Sequence, residues 1–396
     1  MNARVCPDCD VTRGAHIGDW IDAFLSYATA PIALFAQRVV PQMSSVLEVA
    51  LTTTGLMRRV WNTNIPLTEL VARDRLVVEA CMRAKLPVYV LVGPAGATSH
   101  IGVRVGEKTI HFDGLPSSED LGGPMSKLSN SKTHMKAVLD SLSVPIASSR
   151  TFWWWQRRRA SEYAAALPRV VVKPDAGTMD RHVTTDVTSK TFDSAFARAG
   201  RFGPRVVVEE YVPHMVVRVT VVGEDVFAVR YEPPCVVGDG VHTIEKLVEI
   251  ENQDPSRKAM TDQTGSKHRI LFGVETDSLL GEMGFTRTSV PQKGARVGIR
   301  RDPFVRHGST FVDVTTQIDE SVRAMALRLA QKLNAFVLGI DCIAEDISKP
   351  INEQRFVVLE VNAVPFIELH ATKERPYEIG DAVVKGIVKA VSKEQT

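Results

Sequence analysis

Two Gly-Glu dipeptides, Gly106-Glu107 and Gly223-Glu224, each sit in the middle of an alternating apolar and polar run, GVRVGEKTIHF and VVRVTVVGEDVFAVRYEPP. A two-residue connection that begins with glycine suits the mirror-image turns that fold one strand straight back on the next. The chain is therefore committed to antiparallel pairing in at least these two places. VYVLVG from Val88, PRVVVKP from Pro168, RVVVEEYV from Arg205, FVLGIDCIAED from Phe336 and RFVVLEVNAVP from Arg355 also read as strands. Helical periodicity marks Val71 to Lys85, Lys132 to Leu142, Glu320 to Leu333 and Ile379 to Val391. The first of these helices leads to Pro87, and the strand VYVLVG follows, one helix-then-strand unit of an α/β layer. Past it, hairpins flanked by helices, without strict strand–helix alternation, indicate an α+β arrangement.

Composition sets the limits of that fold. The chain has 396 residues, of which 44% are hydrophobic and 24% charged. That excludes disordered, collagen-like and disulfide-scaffold classes and leaves room for roughly two or three domains. With 48 Lys+Arg against 46 Asp+Glu, the formal charge is +2. So small a net charge gives no field that argues for nucleic acid or an anionic membrane as the main partner, and a small-molecule partner is expected. No apolar run reaches the ~18 residues a spanning helix needs, and no basic-then-apolar leader pattern opens the sequence, so a cytoplasmic protein is expected. Five cysteines fit reduced thiols. Cys6 and Cys9 form a CPDC, but no second CxxC or His pair completes a zinc site in the sequence pattern, and the reading is two thiols near a terminus.

Other segments are less telling. The stretch from Ala30 to Trp61 reads as two short helices broken at Pro41, and the Gly/Pro/Ser-rich stretch from Gly114 to Ser131 reads as a domain boundary. WWWQRRR, from Trp153 to Arg159, sets aromatic rings beside basic residues, a pattern that stacks on single-stranded nucleic acid in other settings. The near-neutral net charge and the helical sequence that follows favour a packing and surface role. Gly238-Asp239-Gly240 makes a tight turn, and Thr243 caps a helix over IEKLVEIEN.

Chemistry concentrates in two places. Lys132 opens a helix, and Lys173 closes a β-branched strand, where a cation at the strand end can face a cleft. Asp341, Glu360 and Asn362 lie inside otherwise apolar strands, where a carboxylate is costly unless something pairs with it. Glu360 and Asn362, two apart, share one strand face. If their strand is the hairpin neighbour of the one carrying Asp341, three oxygen-bearing side chains converge in a way that suits Mg²⁺ with phosphate oxygens. The other reading of the same residues is an edge face with solvated acids.

VVVKPDAG, VVVEEYVP, VVGDGVHTIEKLVEIENQDPSRK, LGIDCIAED and VLEVNAVP, in that order, resemble the ATP-grasp domain shared by cyanophycin synthetase and the fused bacterial glutathione synthetase. KLSNSKTHMKAVLDSLSVP looks like the helix that opens that domain. The resemblance runs from about Ser126 to Ala390. It implies an ATP-grasp fold, with a first subdomain at 126–212 carrying the lid and phosphate lysines and a second at 213–396 carrying the metal and substrate site. An α/β N-terminal domain of unassigned role, 1–125, precedes them.

By position, Lys132 and Lys173 match the ATP-phosphate lysines, and Glu209, Glu210, Tyr211 and Val212 match the hinge that holds adenine chiefly by backbone groups. Asp341, Glu360 and Asn362 match the Mg²⁺ ligands, with Mn²⁺ as the alternative ion. Arg218 matches an arginine after the hinge, and Arg230 lies one position from the arginine usual before the VVGDG segment; these two, with Arg300 and Arg301, are candidates to clamp the substrate carboxylate or the tetrahedral intermediate. Arg300 and Arg301 precede a loop that in the family touches substrate. The lid after KPxxG departs from the pattern: Gly177 is kept, but Asp180 and His182 stand where two more glycines are usual. Val216 stands where a ribose-binding Glu is usual. The resemblance implies an ATP-dependent carboxylate–amine ligase acting on amino acids or short peptides through an acyl phosphate, as a homodimer or homotetramer. The three departures motivate the alternative of a nucleotide-binding regulatory protein without turnover.

Overall fold

A computed structural model describes residues 16–18, 20–21, 23–25, 48–121, 123, 131–177, 180–259, 262–273 and 275–393. The CPDC, the first of the two helices expected between Ala30 and Trp61, and residues 122 and 124–130 of the boundary segment lie outside the described residues. A helical turn over 48–53 stands where the second was expected.

The N-terminal unit consists of β1 (Arg58–Trp61), α1 (Ala72–Arg83), β2 (Val88–Gly93), β3 (Gly96–Val105) and β4 (Lys108–Asp113). Its strands pair in the order β1-β2-β3-β4, antiparallel throughout. The hairpin expected at Gly106-Glu107 joins β3 to β4, with Gly106 left-handed at φ 60°. Val88, Val90, Ile101, Val103, Ile110 and Phe112 point from one face of this sheet into a core shared with α1.

Next come α2 (Lys132–Ser141), β5 (Ser149–Trp153), α3 (Arg157–Ala165), β6 (Val170–Pro174), β7 (Thr184–Val187), α4 (Phe192–Gly200) and β8 (Arg205–Glu210). The strands form a small antiparallel sheet, β5-β8-β6-β7. Alternation decides which face is covered. Val170, Val172, Val206 and Val208 pack under α3 and α4, with Phe192, Phe196 and Ala160 in the same cluster. Val171, Lys173, Val207 and Glu209 necessarily point the other way.

The chain then forms β9 (Met215–Val222), β10 (Asp225–Glu232), β11 (Cys235–Val237), α5 (Ile244–Glu251), β12 (Arg257–Lys258), β13 (Lys267–His268), α6 (Thr276–Glu282) and β14 (Arg296–Gly298). It ends with β15 (Thr310–Asp313), α7 (Glu320–Lys332), β16 (Val337–Ala344), β17 (Phe356–Asn362) and α8 (Glu378–Lys393). A central sheet runs β15-β10-β9-β16-β17. The hairpin expected at Gly223-Glu224 is its β9–β10 turn. Val217, Val219, Val221, Leu338, Ile340 and Cys342 pack under α7 with Val322, Met325 and Leu329, so Arg218, Gly339 and Asp341 take the opposite face. Ile379, Val383 and Ile387 of α8 join the core of the N-terminal unit, together with Val222 and Val337. The segment from β11 to β14 has its own small core of Val236, Ile244, Leu247, Leu280 and Val297. Thr243 caps α5 as expected, its hydroxyl accepting from the Lys246 N–H.

Candidate functional site

The uncovered faces of the small and central sheets look at each other across a cleft of about 2260 Å³. The register of the central sheet builds one wall. Asp341 lies directly opposite Arg218 of β9 on one side and directly opposite Glu360 of β17 on the other. The three side chains therefore form a row across three strands. Arg218 Nε donates to Asp341 Oδ1 at 2.7 Å and its Nη2 to Oδ2 at 2.5 Å, a bidentate fork. Asn362 stands two residues along, its amide 3.4 Å from both Asp341 Oδ2 and Glu360 Oε1. Asp341 is 7% exposed, so the solvated-edge reading fails for it.

The two carboxyls are tied electrostatically. Burial lifts Asp341 above the ordinary carboxylate range, a shift that Arg218 opposes and the neighbouring Glu360 charge adds to. Burial acts on Glu360 too, but Lys132, Lys173 and Arg218 outweigh it and hold Glu360 below that range.

The opposite wall is built by β6 and β8. Lys173 Nζ donates to Glu209 Oε1 at 2.8 Å, and Lys136 pairs with Glu209 Oε2. Glu209 is 1% exposed. Its burial would favour the neutral acid, but the two lysines prevail and keep its carboxyl below the usual range. Lys173 is likewise disfavoured by burial and rescued by Glu209. Lys136 was not singled out from the sequence. Its position one helical turn after Lys132, on α2, was the available signal. Lys132 stands between the walls: its Nζ donates to Gly177 O at 2.9 Å and lies 3.9 Å from Glu360 Oε2.

α2 is fastened at its start by Asp175, two residues after Lys173. The fully buried Asp175 carboxylate accepts from the Thr133 N–H at 2.8 Å and the Thr133 hydroxyl at 2.6 Å. The same aspartate that follows Lys173 thus orients Lys132, and the two lysines are coupled by a helix start.

The turn over the cleft explains the unusual lid. Gly177 has φ 117°, and a Cβ there would meet the Phe202 ring at 2.6 Å. Asp180 at φ 54° and His182 at φ 57° are left-handed as well. The backbone at the two departing positions thus takes the conformation glycine favours, with an aspartate and a histidine strained into it. His182 is buried against Phe202 and meets the ring of His16 edge-on at 5.0 Å. Asp180 lines the cleft, where enclosure first and the Glu360 charge second raise its carboxyl to about 6.

Glu209, Glu210, Tyr211 and Val212 carry the chain from one wall to the other and line the cleft. Glu210 accepts from Arg355 at 2.7 Å, and Val216 lines the cleft beyond them. Arg230 also lines it, with its Nε donating to Glu232 at 2.7 Å. At the mouth Arg300 is held between Glu275 at 2.8 Å and Asp302 at 3.1 Å, and Arg301 pairs with Glu282. The buried Arg306, on the turn that follows, also lines the cleft and opposes the charge of Asp180; no strand or helix pattern marked it. The WWWQRRR segment lies away from the cleft, with Trp154 and Trp155 exposed and Trp153 stacked on Trp155 at 5.0 Å. Among the described residues no helix is long and apolar enough to cross a membrane.

No family model matches the chain. It is 31% identical over 268 residues to the cyanophycin synthetase of Trichormus variabilis, covering 65% of this chain and 29% of that protein. It is 27% identical over 209 residues to the glutathione biosynthesis bifunctional protein of Clostridium perfringens, covering 51% of this chain and 26% of the other. The chain thus spans less than a third of the length of either relative. Among solved structures, the bifunctional glutathione synthetase of Pasteurella multocida superimposes with a TM-score of 0.58 over 82% of this chain and 44% of that one, at 21% identity. Two facing sheets joined by the 209–212 segment, together with these likenesses, give the chain the ATP-grasp fold and make it a relative of cyanophycin synthetase and the bifunctional glutathione synthetases.

Proposed function

We propose that this protein is an ATP-dependent carboxylate–amine ligase, joining amino acids or short peptides through an acyl phosphate. The observation that carries the reading is the pair of facing walls, Lys173 on one and the Arg218–Asp341–Glu360 row on the other, with Lys132 between them. The relatives' names, which denote synthesis of cyanophycin and of glutathione, support the same class.

In this reading residues 126–212 and 213–396 are the two subdomains of the clamp. Lys132 and Lys173 hold phosphate oxygens, and backbone groups of Glu209, Glu210, Tyr211 and Val212 hold the adenine. Asp341, Glu360 and Asn362 would hold Mg²⁺, or Mn²⁺ in its place. The donor set fits: two carboxylates and an amide, all oxygen ligands, with room beside them for phosphate oxygens. Bound there, such an ion neutralises charge on the transferred phosphoryl group.

Arg218 forks onto both oxygens of Asp341 and opposes the rise that burial gives its carboxyl. Arg230 and the mouth arginines Arg300 and Arg301 offer planar forks for a substrate carboxylate. The substrate carboxylate attacks the γ-phosphorus and ADP leaves; the amine then attacks the acyl carbon and phosphate leaves. Positioned cations and exclusion of water do most of this work, so no side-chain acid–base pair is required.

The test is phosphate release from the purified protein with ATP and Mg²⁺, against pools of amino acids and small peptides, with mass spectrometry of any active pool. Release that needs a carboxylate and an amine together, with an amide product of matching mass, is expected. ATP bound in a calorimeter without release from any pool would replace the ligase by a nucleotide-binding protein, the reading that Asp180 beside Glu360 favours. Absence of ATP binding would overturn both.

A further inference from the structure

The four-stranded N-terminal sheet has a second face, away from α1, and a polar cluster sits on it under the helical turn 48–53. Pairing fixes its layout: Tyr89, Gly102 and His111 form one row across β2, β3 and β4, and His100 and Asp113 form the next. Glu48, 3% exposed, descends onto these rows. Its Oε2 lies 2.8 Å from His100 Nε2 and 2.9 Å from His111 Nδ1. Two imidazole nitrogens and a carboxylate oxygen, from three separate segments, come within 4.8 Å of one another.

The far side of this trio is held as well. Glu48 Oε1 accepts from Arg59 Nε at 2.7 Å and from the Tyr89 hydroxyl at 2.6 Å, which leaves Oε2 for the histidines. His100 Nδ1 lies 3.1 Å from Asp113 Oδ1. An imidazole whose Nδ1–H is taken by a carboxylate presents its Nε2 lone pair on the other side, the arrangement that orients histidine ligands on metals. Gly102 makes the layout feasible, because a Cβ there would lie 2.3 Å from the Tyr89 ring that crosses it to reach Glu48.

We propose that Glu48 Oε2, His100 Nε2 and His111 Nδ1 form a binding site for a divalent transition-metal ion, zinc above all, separate from the nucleotide cleft. Two nitrogens and one carboxylate oxygen are a three-ligand set of the kind zinc takes with a fourth position left open. The opening lies on the side of His111, whose side chain is 32% exposed against 2% for Glu48. At zinc–ligand lengths of about 2.1 Å a tetrahedral ion would spread the Glu48–histidine distances by about half an ångström, within reach of side-chain rotation. The bound ion would tie the turn at Glu48 to β3 and β4 across some fifty residues of chain.

The test uses the full chain in a Cys6→Ser/Cys9→Ser background, stripped with a chelator and held in excess Mg²⁺, and titrates Zn²⁺ against a chromophoric competitor. One equivalent of Zn²⁺ is expected, with Co²⁺ giving a visible d–d band and no sulfur charge-transfer band. His111→Gln should weaken Zn²⁺ at least 100-fold, and Asp113→Asn about 10- to 100-fold through the lost support of His100. Glu360→Gln should leave the equivalent in place. Melting of each metal-free variant shows that it is folded, and Zn²⁺ should raise the melting temperature of the parent but not of His111→Gln. No tight equivalent in the parent, or one retained in His111→Gln and lost in Glu360→Gln, would overturn the assignment.

Discussion

The two walls of the cleft solve the same problem, charge inside a sheet, with opposite signs. On the small sheet two lysines surround one glutamate, Lys173 and Lys136 on Glu209, and one positive charge is left over. On the central sheet one arginine serves two carboxylates, Arg218 beside Asp341 and Glu360, and one negative charge is left over. Each wall is paired well enough to fold and unbalanced enough to attract a ligand of the opposite sign. The surplus on the first suits phosphate, that on the second a cation, and Lys132 at 3.9 Å from Glu360 spans the gap between them.

If the negative surplus is what the cleft uses, removing it should have the largest effect. Glu360→Gln keeps shape and the Asn362 contact but cancels the charge. ATP-dependent phosphate release should fall by about 10²–10³-fold or more, the scale of removing a transition-state electrostatic partner. Glu360 is half-buried at the end of an edge strand, so the melting temperature should hold within a degree or two. Turnover retained at saturating Mg²⁺ would break the comparison at its centre.

The positive wall makes a sharper prediction, because its lysines differ. Lys136 and Glu209 are both buried, and breaking a buried pair exposes the partner's charge to an apolar surrounding. Lys136→Met should cost about 3 kcal/mol, the low end of that penalty, since Lys173 still partners Glu209. Thermal melting would register it as a drop of several degrees. Lys132→Met should do the reverse, with little change in melting but ATP affinity lower by roughly tenfold, as expected for loss of one charge-assisted contact worth about 1.5 kcal/mol. Equal stability losses in the two variants would show that Lys132 is a structural lysine.

Much of this was legible from residue type and period. Asp341 and Glu360 announced themselves by standing in apolar strands, and the two Gly-Glu turns located hairpins. Lys173 was visible because it ended a β-branched run. What escaped depends on register and on distant segments. That Asp341 falls opposite Arg218 follows from the strand pairing of β9 with β16, which alternation alone does not set. Lys136 looked like any helical lysine until β8 placed Glu209 beneath it. Arg306 lies on a single turn, Val305–His307, placed by the packing of Val305 against Val229, Tyr231 and Leu369, not by local pattern. The Glu48, His100 and His111 cluster was unreadable for the same reason: its members join only when a turn more than fifty residues upstream of His100 lands on the outer face of a hairpin.

The smallest effect concerns the turn that faces both walls. Asp180 sits left-handed where a glycine would be unstrained, and its carboxyl is raised to about 6. A raised carboxyl holds its proton in the folded state at pH values where the unfolded chain has lost it. Its contribution to stability is therefore fully present below the ordinary aspartate range and is lost as pH climbs to about 6. Above that pH an ionised carboxylate faces both Glu360 and any bound phosphate. Asp180→Asn, which tolerates the same backbone, removes the charge without opening the turn. At pH 8 the variant should bind ATP a few-fold to about tenfold more tightly than the parent, a modest effect typical of one partly screened charge. Near pH 5 the two should converge, because the parent is then neutral too, and comparing them at each pH cancels the titration of ATP itself. A constant ratio across the range would mean that Asp180 turns away from the phosphates. The lid would then be tuned by its backbone conformation alone.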